Sequence, residues 1–278
     1  MESGTRLNSY LQELCLPRVR ECYPEVARQA IAEGLSYEQF LLEVVAREAH
    51  ARRQHRIERL LHESRLPIAK TLAGFDQNRL PARVRQQVAV LREGSFLERR
   101  ENVLAFGNPG SGKTHLLCGV CHDLVEQGRR VLYTTCSLLV QELLIAKRDL
   151  KLANVLKRLG RYEGLLIDDL GYVQQSREEM EVLFTLLADR YERASVLITS
   201  NLPFSGWEAI FKDPMTTAAA IDRLVHHSVI LELNVPSYRM ETARQQSQAR
   251  PEERGAEASG EAAVSGPVAA AAARGNVT

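Results

Sequence analysis

Residues 102–114 read Asn-Val-Leu-Ala-Phe-Gly-Asn-Pro-Gly-Ser-Gly-Lys-Thr, and this stretch decides the fold. Its last eight residues match the spacing G-x-x-x-x-G-K-[ST], in which backbone N–H groups of a glycine-rich loop surround phosphate oxygens. The five residues before the loop have strand character, and residues 115–127 carry apolar side chains at helical spacing. The pattern therefore predicts a loop between a strand and the N-terminus of a helix, where an anion is stabilised.

The motif indicates which residues contact a nucleoside triphosphate. Glycines at positions 107, 110 and 112 permit backbone angles that are closed to other residues. Lys113 is expected to reach the β- and γ-phosphates, and the Thr114 hydroxyl is expected to ligate Mg²⁺. The residues predicted to hold the nucleotide are Gly107, Asn108, Pro109, Gly110, Ser111, Gly112, Lys113, Thr114 and His115.

Three further apolar runs continue the alternation of strands and helices, at residues 130–135, 164–169 and 195–199. Helical stretches separate them, so the runs are predicted to be parallel strands joined by crossover helices. We therefore predict an α/β fold of the P-loop NTPase type, with helices on both faces of a parallel sheet. The interval between Lys113 and Asp168 holds an extra strand–helix unit, which is typical of the ATPase branch that includes motors, loaders and recombinases.

Polar residues end two of the predicted strands. Asp168 and Asp169 follow four apolar residues, and such a pair suits one carboxylate that holds Mg²⁺ and a second that polarises the attacking water. Ser200 and Asn201 follow the next strand, at the carboxyl edge where ligands bind in parallel sheets. We predict that the Asn201 amide orients the water against the γ-phosphate; the alternative for Ser-Asn after a strand is an ordinary turn.

Arg223 lies near the end of a short predicted helix, before the strand-like residues 229–233. An arginine supplied across a subunit boundary can stabilise charge on a transferring phosphoryl group. The alternative is an ion pair within the chain, with Asp222 or Glu232. The predicted catalytic residues are Lys113, Asp169, Asn201 and Arg223, and the predicted metal ligands are Thr114 and Asp168.

Residues 7–97 have a mainly helical pattern. Ser36 with Gln39 three residues later predicts a capping box that opens a long helix, which Pro67 ends. The second half of that helix is markedly basic, and two interpretations stay open: contact with a DNA backbone or an acidic partner, or a solvated face whose charges pair at i, i+4. Its charged residues include Arg47, Arg52, Arg53, Arg56, Arg59, Glu48, Glu58 and Glu63.

Composition bounds the class of protein. The 36 Lys and Arg nearly balance the 35 Asp and Glu, so any argument for nucleic-acid binding has to be local. Residues 1–20 lack a signal-peptide core and no long apolar run follows, so we expect a cytoplasmic protein without a membrane partner. Cys118 and Cys121, with His115 and His122 beside them, all fall on one predicted helix, which favours packing over a zinc site.

These observations divide the chain into four predicted parts. Residues 1–68 form a helical domain for DNA or partner contact, residues 69–97 connect it to the next part, and residues 98–245 form the nucleotide-binding domain. Residues 246–278 are rich in Ala, Gly, Ser and Glu and lack large apolar side chains. Because such a segment cannot bury enough surface to offset its ordering entropy, we predict a disordered tail.

Several motifs together resemble the IstB family of transposition helper ATPases, in the AAA+ branch that also contains DnaC-type helicase loaders. The lead-in at residues 70–76 is similar too, and the resemblance covers about residues 10–245. The motifs lie at residues 102–116, 165–172, 189–193, 198–203, 221–228 and 237–239.

The resemblance implies an ATP-dependent homo-oligomer that loads onto duplex DNA, recruits a transposase and is regulated by ATP hydrolysis, with ATP and Mg²⁺ as cofactors. It gives Arg223 the role of the trans arginine, with Arg190 as a second candidate. Asp169 stands where many AAA+ proteins have Glu, so slow turnover is expected. The resemblance implies that DNA stimulates this turnover, and a sensor role for Arg239 stays open. The alternatives are a DnaC-like loader of a replicative helicase and, more distant, a small-molecule P-loop kinase.

Overall fold

The structure is a computed structural model that describes residues 2–171, 176–211 and 214–238. The predicted tail and Arg239 lie outside the described residues. None of the helices in these ranges combines the length and the apolar character that crossing a lipid bilayer requires.

A five-stranded sheet forms the centre of the fold. Its strands are β1 (Asn102–Gly107), β2 (Val131–Thr135), β3 (Gly164–Leu170), β4 (Ser195–Ser200) and β5 (Ser228–Leu233). Every strand pair is parallel, and the order across the sheet is β2-β3-β4-β1-β5. The predicted parallel sheet is confirmed, with β4 between the loop-bearing β1 and the acidic β3. The carboxyl ends of all five strands therefore meet at one edge.

Helices cover both faces of this sheet, as predicted. The helices are α1 (Glu2–Glu13), α2 (Pro17–Glu33), α3 (Tyr37–Ser64), α4 (Ala82–Arg92), α5 (Ser95–Glu98), α6 (Lys113–Glu126), α7 (Cys136–Arg148), α8 (Leu152–Leu159), α9 (Arg177–Arg190), α10 (Glu208–Phe211) and α11 (Pro214–Val225). Because successive strand side chains point to opposite faces, Val103 and Ala105 of β1 enter the core beneath α4 and α6, whereas Leu104 enters the core beneath α7, α9 and α11.

A small helical unit, formed by α1, α2 and the first half of α3, precedes the sheet. Its separate apolar core contains Leu11, Val19, Val26 and Val44. The predicted capping box of Ser36 and Gln39 is present at the start of α3. α3 is 28 residues long, and Leu60 near its end packs into the core beneath α4 and α6. One helix therefore joins the two units.

Glu48 of α3 is buried in this unit and is not part of a solvated face (5% exposed). Its carboxylate accepts hydrogen bonds from the backbone N–H groups of Arg18 (2.9 Å) and Val19 (3.1 Å) and from Nε of Arg52 (2.9 Å). Burial opposes ionisation, but these bonds outweigh it and hold the pKa of Glu48 below its ordinary value. Glu48 thus satisfies N–H groups at the start of α2 from another helix, which its sequence spacing did not indicate.

Candidate nucleotide-binding site

The glycine-rich loop connects the end of β1 to the start of α6. Gly107 and Gly112 have φ angles of 153° and 91°. A Cβ atom at Gly107 would lie 2.4 Å from the carbonyl oxygen of Leu233, and one at Gly112 would lie 2.7 Å from the ring of Phe75. Glycine is therefore required at both positions by close approach as well as by backbone conformation.

Lys113 is buried in the first turn of α6. Its Nζ donates hydrogen bonds to the carbonyl oxygens of Gly107 (2.7 Å) and Asn108 (3.0 Å). The positive charge is therefore held within the loop that the sequence predicts to bind phosphate.

Asp168 is the centre of a hydrogen-bond network at the carboxyl edge of the sheet, and it is 4% exposed. Its Oδ1 accepts from the hydroxyls of Thr114 (2.7 Å) and Thr199 (2.5 Å), and its Oδ2 accepts from the Tyr133 hydroxyl (3.0 Å). Burial and the nearby Asp168 charge raise the pKa of Tyr133, so its phenol remains a donor. The structure brings Thr114 and Asp168 together; Thr199 and Tyr133 join them, although neither was among the predicted site residues.

Asp169 and Asn201 lie beside this network. Asp169 has a left-handed φ of 59° and is exposed, while its backbone N–H donates to the Thr199 hydroxyl at 2.9 Å. The β3–β4 pairing is irregular between Ile167 and Leu170, so the two adjacent carboxylates enter different environments. Asn201 Oδ1 is buried without a hydrogen-bond partner among the described residues, which leaves an acceptor for a bound water or ligand.

Loop residues 109–114, both aspartates and Asn201 line one cavity of about 530 Å³, a volume typical of ligand pockets. The predicted contacts Gly107 and Asn108 are not among its lining residues. The opposite wall comes from the segment before α4 and the segment after β5. The guanidinium of Arg79 lies 5.3 Å from the ring centroid of Tyr238 there. The sequence indicated residues 70–76 only through the resemblance, because no local motif marks them. The wall residues include Lys70, Phe75, Asp76, Arg79 and Tyr238.

His115 lines the same cavity, next to the loop. Its Nε2 lies 2.9 Å from the carbonyl oxygen of Thr71, and its ring meets that of Phe75 edge-on, with centroids 5.2 Å apart. The imidazole therefore holds the lead-in segment against α6 while it faces the cavity.

Cys118 and Cys121 are buried in the core on α6. Burial raises the pKa of Cys118 to about 12 and also raises that of Cys121, so both thiols stay protonated in the core. The adjacent His122 ring lies 3.1 Å from the carbonyl oxygen of Pro67. These contacts are those of packing residues.

Arg223 lies at the end of α11, and the residues that line the cavity do not include it. Its guanidinium carbon is 4.6 Å from the ring centroid of Phe184, and it donates to the carbonyl oxygen of Ala219 at 3.2 Å. Within the described ranges it forms no ion pair with Asp222 or Glu232, so that alternative is wrong.

Arg190 is buried at the end of α9 and is 2% exposed. It donates hydrogen bonds to the carbonyl oxygens of Leu159 (3.0 Å), Tyr162 (3.0 Å) and Ser195 (2.9 Å). Burial lowers its pKa to about 10, which keeps it charged at neutral pH. Arg190 is a structural residue of this chain, and its candidacy as a residue of a subunit boundary is wrong.

The basic stretch of α3 contains both paired and unpaired arginines. Arg47 and Arg52 form ion pairs, at 2.9 Å each, with glutamates one helical turn earlier. Nη2 of Arg56 lies 3.5 Å from the carbonyl oxygen of Gly128, in the turn after α6. Arg53 and Arg59 are exposed and make no hydrogen bond or ion pair with the described residues, so the unpaired positive charge is confined to a few side chains.

The sheet order, the phosphate-binding loop after β1 and the acidic end of β3 define an AAA+-type P-loop nucleotide-binding protein. Solved structures share this fold. The replication initiator DnaA bound to AMPPCP and single-stranded DNA matches with a TM-score of 0.53 at 16% identity, over 69% of this chain and 60% of that chain. AMPPCP-bound DnaA from Aquifex aeolicus matches with a TM-score of 0.50 at 17% identity, over 68% and 57%.

Residues 9–247 match the model of the IstB-like ATP binding protein family, and the chain belongs to that family. It is 43% identical over 239 residues to a protein of Sinorhizobium fredii (strain NBRC 101917 / NGR234) named as an insertion sequence ATP-binding protein, covering 86% of this chain and 80% of that protein. It is 38% identical over 216 residues to a protein of Pseudomonas aeruginosa named as an ATP-binding protein of insertion sequence IS21, covering 78% of this chain and 82% of that protein. The class of this chain is therefore an ATP-binding AAA+ protein.

Proposed function

We propose that this chain hydrolyses ATP as the helper of an insertion-sequence transposase, oligomerising on duplex DNA so that hydrolysis regulates assembly and target selection. One observation carries the proposal: a phosphate-binding loop, a buried hydroxyl–carboxylate pair and an unsatisfied amide oxygen line one cavity. The names of the relatives support the link to insertion sequences. We assign the activity to the cytoplasm because the proposed partner is DNA.

Nucleotide binding would begin with an exchange of partners at Lys113. In this structure its Nζ donates to two carbonyl oxygens of the loop. When a triphosphate binds, the ammonium would donate to phosphate oxygens instead, and the N–H groups of the loop would bind further phosphate oxygens. The contact of 2.7 Å between the Thr114 hydroxyl and Asp168 places two oxygen donors together, which suits the hard cation Mg²⁺. Mg²⁺ bound there would neutralise charge on the phosphate oxygens.

Asp169 and Asn201 have complementary roles in this proposal. The exposed carboxylate of Asp169 is the general base that polarises the attacking water, and the unsatisfied Oδ1 of Asn201 accepts a hydrogen bond from that water. Because Asp is one methylene shorter than Glu, the carboxylate lies further from the water, and we expect slow turnover.

Arg223 would act on the nucleotide of a neighbouring subunit. Its absence from the cavity lining of its own chain and its lack of an ion pair with Asp222 or Glu232 support this role. In this structure the Arg223 guanidinium packs on the Phe184 ring. The guanidinium therefore has to leave this ring to reach the nucleotide of a neighbouring subunit. Such an arginine makes hydrolysis depend on assembly.

For DNA contact we propose residues 1–68, joined through residues 69–97 to the ATPase domain at 98–245. The exposed Arg53 and Arg59 are the side chains of α3 available to phosphate. A matched test would compare Arg53→Gln with Arg59→Gln and the paired Arg47→Gln. Loss of DNA affinity in the first two alone supports this surface, and equal affinity in all three contradicts it.

Hydrolysis with and without duplex DNA tests the proposed activity. We expect ATP turnover that rises with duplex DNA and is insensitive to small metabolites, as opposed to a kinase, which would phosphorylate one of them. Co-precipitation against the cognate transposase and against a replicative helicase separates the transposition helper from the loader. Capture of the helicase alone would replace our proposal by the loader alternative.

A further inference from the structure

Three side chains that can ligate a metal meet at the edge of the sheet opposite the nucleotide cavity. Glu192 lies in the connection between α9 and β4, and His226 and His227 lie in the connection between α11 and β5. Because the strands are parallel, both connections enter the sheet at its amino end. Each residue offers one ligand atom, and the three atoms lie within 4.8 Å of one another; no other such group occurs in the part of the chain that the structure describes.

Neighbouring contacts hold these three residues in place. The Tyr191 hydroxyl lies 3.1 Å from Nδ1 of His226, and the two imidazole rings have centroids 4.2 Å apart. The guanidinium of Arg100 donates to the backbone carbonyl of Glu192 at 2.6 Å. The ligand atoms therefore converge from two segments that the fold fixes against each other.

We propose that Glu192, His226 and His227 form a binding site for a divalent transition ion of the Zn²⁺ type. Imidazole nitrogens with one carboxylate are a common ligand set for Zn²⁺, whereas Mg²⁺ and Ca²⁺ prefer oxygen ligands alone. All three residues are exposed, so an ion can enter without unfolding. Three protein ligands leave a fourth position for water or for a ligand from a partner.

A bound ion would connect the segment after α9 to the segment after α11. Because it binds the folded chain and crosslinks two segments, it should raise the thermal stability of the protein. This proposal does not depend on the proposed ATPase activity, and the nucleotide-free protein tests it.

The experiment is calorimetric titration of Zn²⁺ into the full chain after treatment with a chelator, with excess Mg²⁺ present to occupy oxygen sites. We expect one Zn²⁺ per chain, and we expect His227→Ala and Glu192→Gln each to weaken its affinity by at least about tenfold. Co²⁺ serves as a second probe, because a site containing imidazole gives visible absorption that both variants should lose. Melting without metal checks that each variant folds as the wild type does.

His55→Ala and Cys15→Ser are matched controls, since both remove an exposed potential ligand away from the proposed site, His55 on α3 and Cys15 in the turn between α1 and α2. Neither should change Zn²⁺ binding. Binding that survives both site variants, disappears in a control, or is undetectable in the wild type overturns the proposal. If His227→Ala loses the ion but Glu192→Gln keeps full affinity, the three-ligand assignment is wrong.

Discussion

The nucleotide cavity and the N-terminal helical unit each contain a buried carboxylate, and their donors differ. Asp168 accepts hydrogen bonds from three side-chain hydroxyls, whereas Glu48 accepts from two backbone N–H groups and a guanidinium. Hydroxyls can rotate towards a new partner, while the N–H groups at the start of α2 are fixed by the helix. Asp168 is therefore suited to exchange partners with a ligand, and Glu48 is suited to hold two helices together.

This contrast predicts a separation of effects between the two regions. Substitutions in the cavity should change nucleotide binding or turnover with little effect on stability. Substitution of Glu48 should lower stability and leave nucleotide affinity unchanged. Three variants of the proposed ATPase residues and one of Glu48 test the separation, beginning with the variant that should abolish nucleotide binding.

Lys113→Ala should abolish ATP binding. Losing two charge-assisted hydrogen bonds to phosphate would raise the Kd by roughly 100-fold or more. Calorimetry measures this, with the exposed Lys157→Ala as the control that should bind normally. If Lys113→Ala binds ATP with an affinity within threefold of wild type, the loop is not part of the nucleotide-binding site.

Arg223→Ala should leave ATP affinity nearly intact and reduce turnover of the DNA-bound assembly by roughly 1,000-fold. The exposed Arg161→Ala is the matched control. Mixing Arg223→Ala with Lys113→Ala subunits should restore some activity, because the second variant supplies the arginine to the intact nucleotide site of the first. If no mixing ratio restores turnover, the cross-subunit role loses its support.

Asp169→Asn should bind ATP normally and lose turnover by roughly 100-fold, because an amide cannot accept the proton of the attacking water. Single-turnover hydrolysis with saturating duplex DNA measures the loss. Asp168→Asn sharpens the result, since this variant should also weaken Mg²⁺-dependent ATP binding. Unchanged turnover in Asp169→Asn would eliminate Asp169 as the base.

Glu48→Gln should lower the free energy of unfolding by about 1–3 kcal/mol, because an amide cannot serve the three donors that the carboxylate accepts from. Urea unfolding at pH 7 measures the change, and the exposed Glu43→Gln should change stability by at most about 0.5 kcal/mol. ATP affinity should be normal in both variants. A loss of ATP binding in Glu48→Gln would break the separation between the two regions.

The difference in the free energy of unfolding between wild type and Glu48→Gln should depend on pH, because the pKa of Glu48 is lowered in the folded chain. A carboxyl group whose folded pKa is depressed contributes stability above its unfolded pKa, near 4.3, and this contribution is lost as the pH falls through the folded value. The gap between wild type and Glu48→Gln should therefore shrink as the solution is acidified below about pH 4. A gap that grows on acidification would contradict this assignment.

Much of the fold could be predicted from local pattern. The strand–loop–helix of residues 102–127, the parallel sheet and the Ser36 capping box each depend on side chains close together in sequence, and the structure confirms all three. The same reasoning missed Tyr133 and Thr199, since both are ordinary strand residues until β2, β3 and β4 are aligned. It also left a solvated face open as one interpretation for the helix that carries Glu48, because helical spacing shows which side chains share a face and does not show what covers it.

The sequence by itself determined the nucleotide-binding class, because the glycine spacing and Lys113 act through consecutive backbone units of one loop. The tertiary structure decided which charged groups are engaged: it buries Asp168 and exposes Asp169, commits Arg190 to carbonyl oxygens and rests Arg223 on an aromatic ring. These outcomes depend on segments far apart along the chain. Burial and hydrogen bonding are properties of the packed neighbours, and no local pattern contains them.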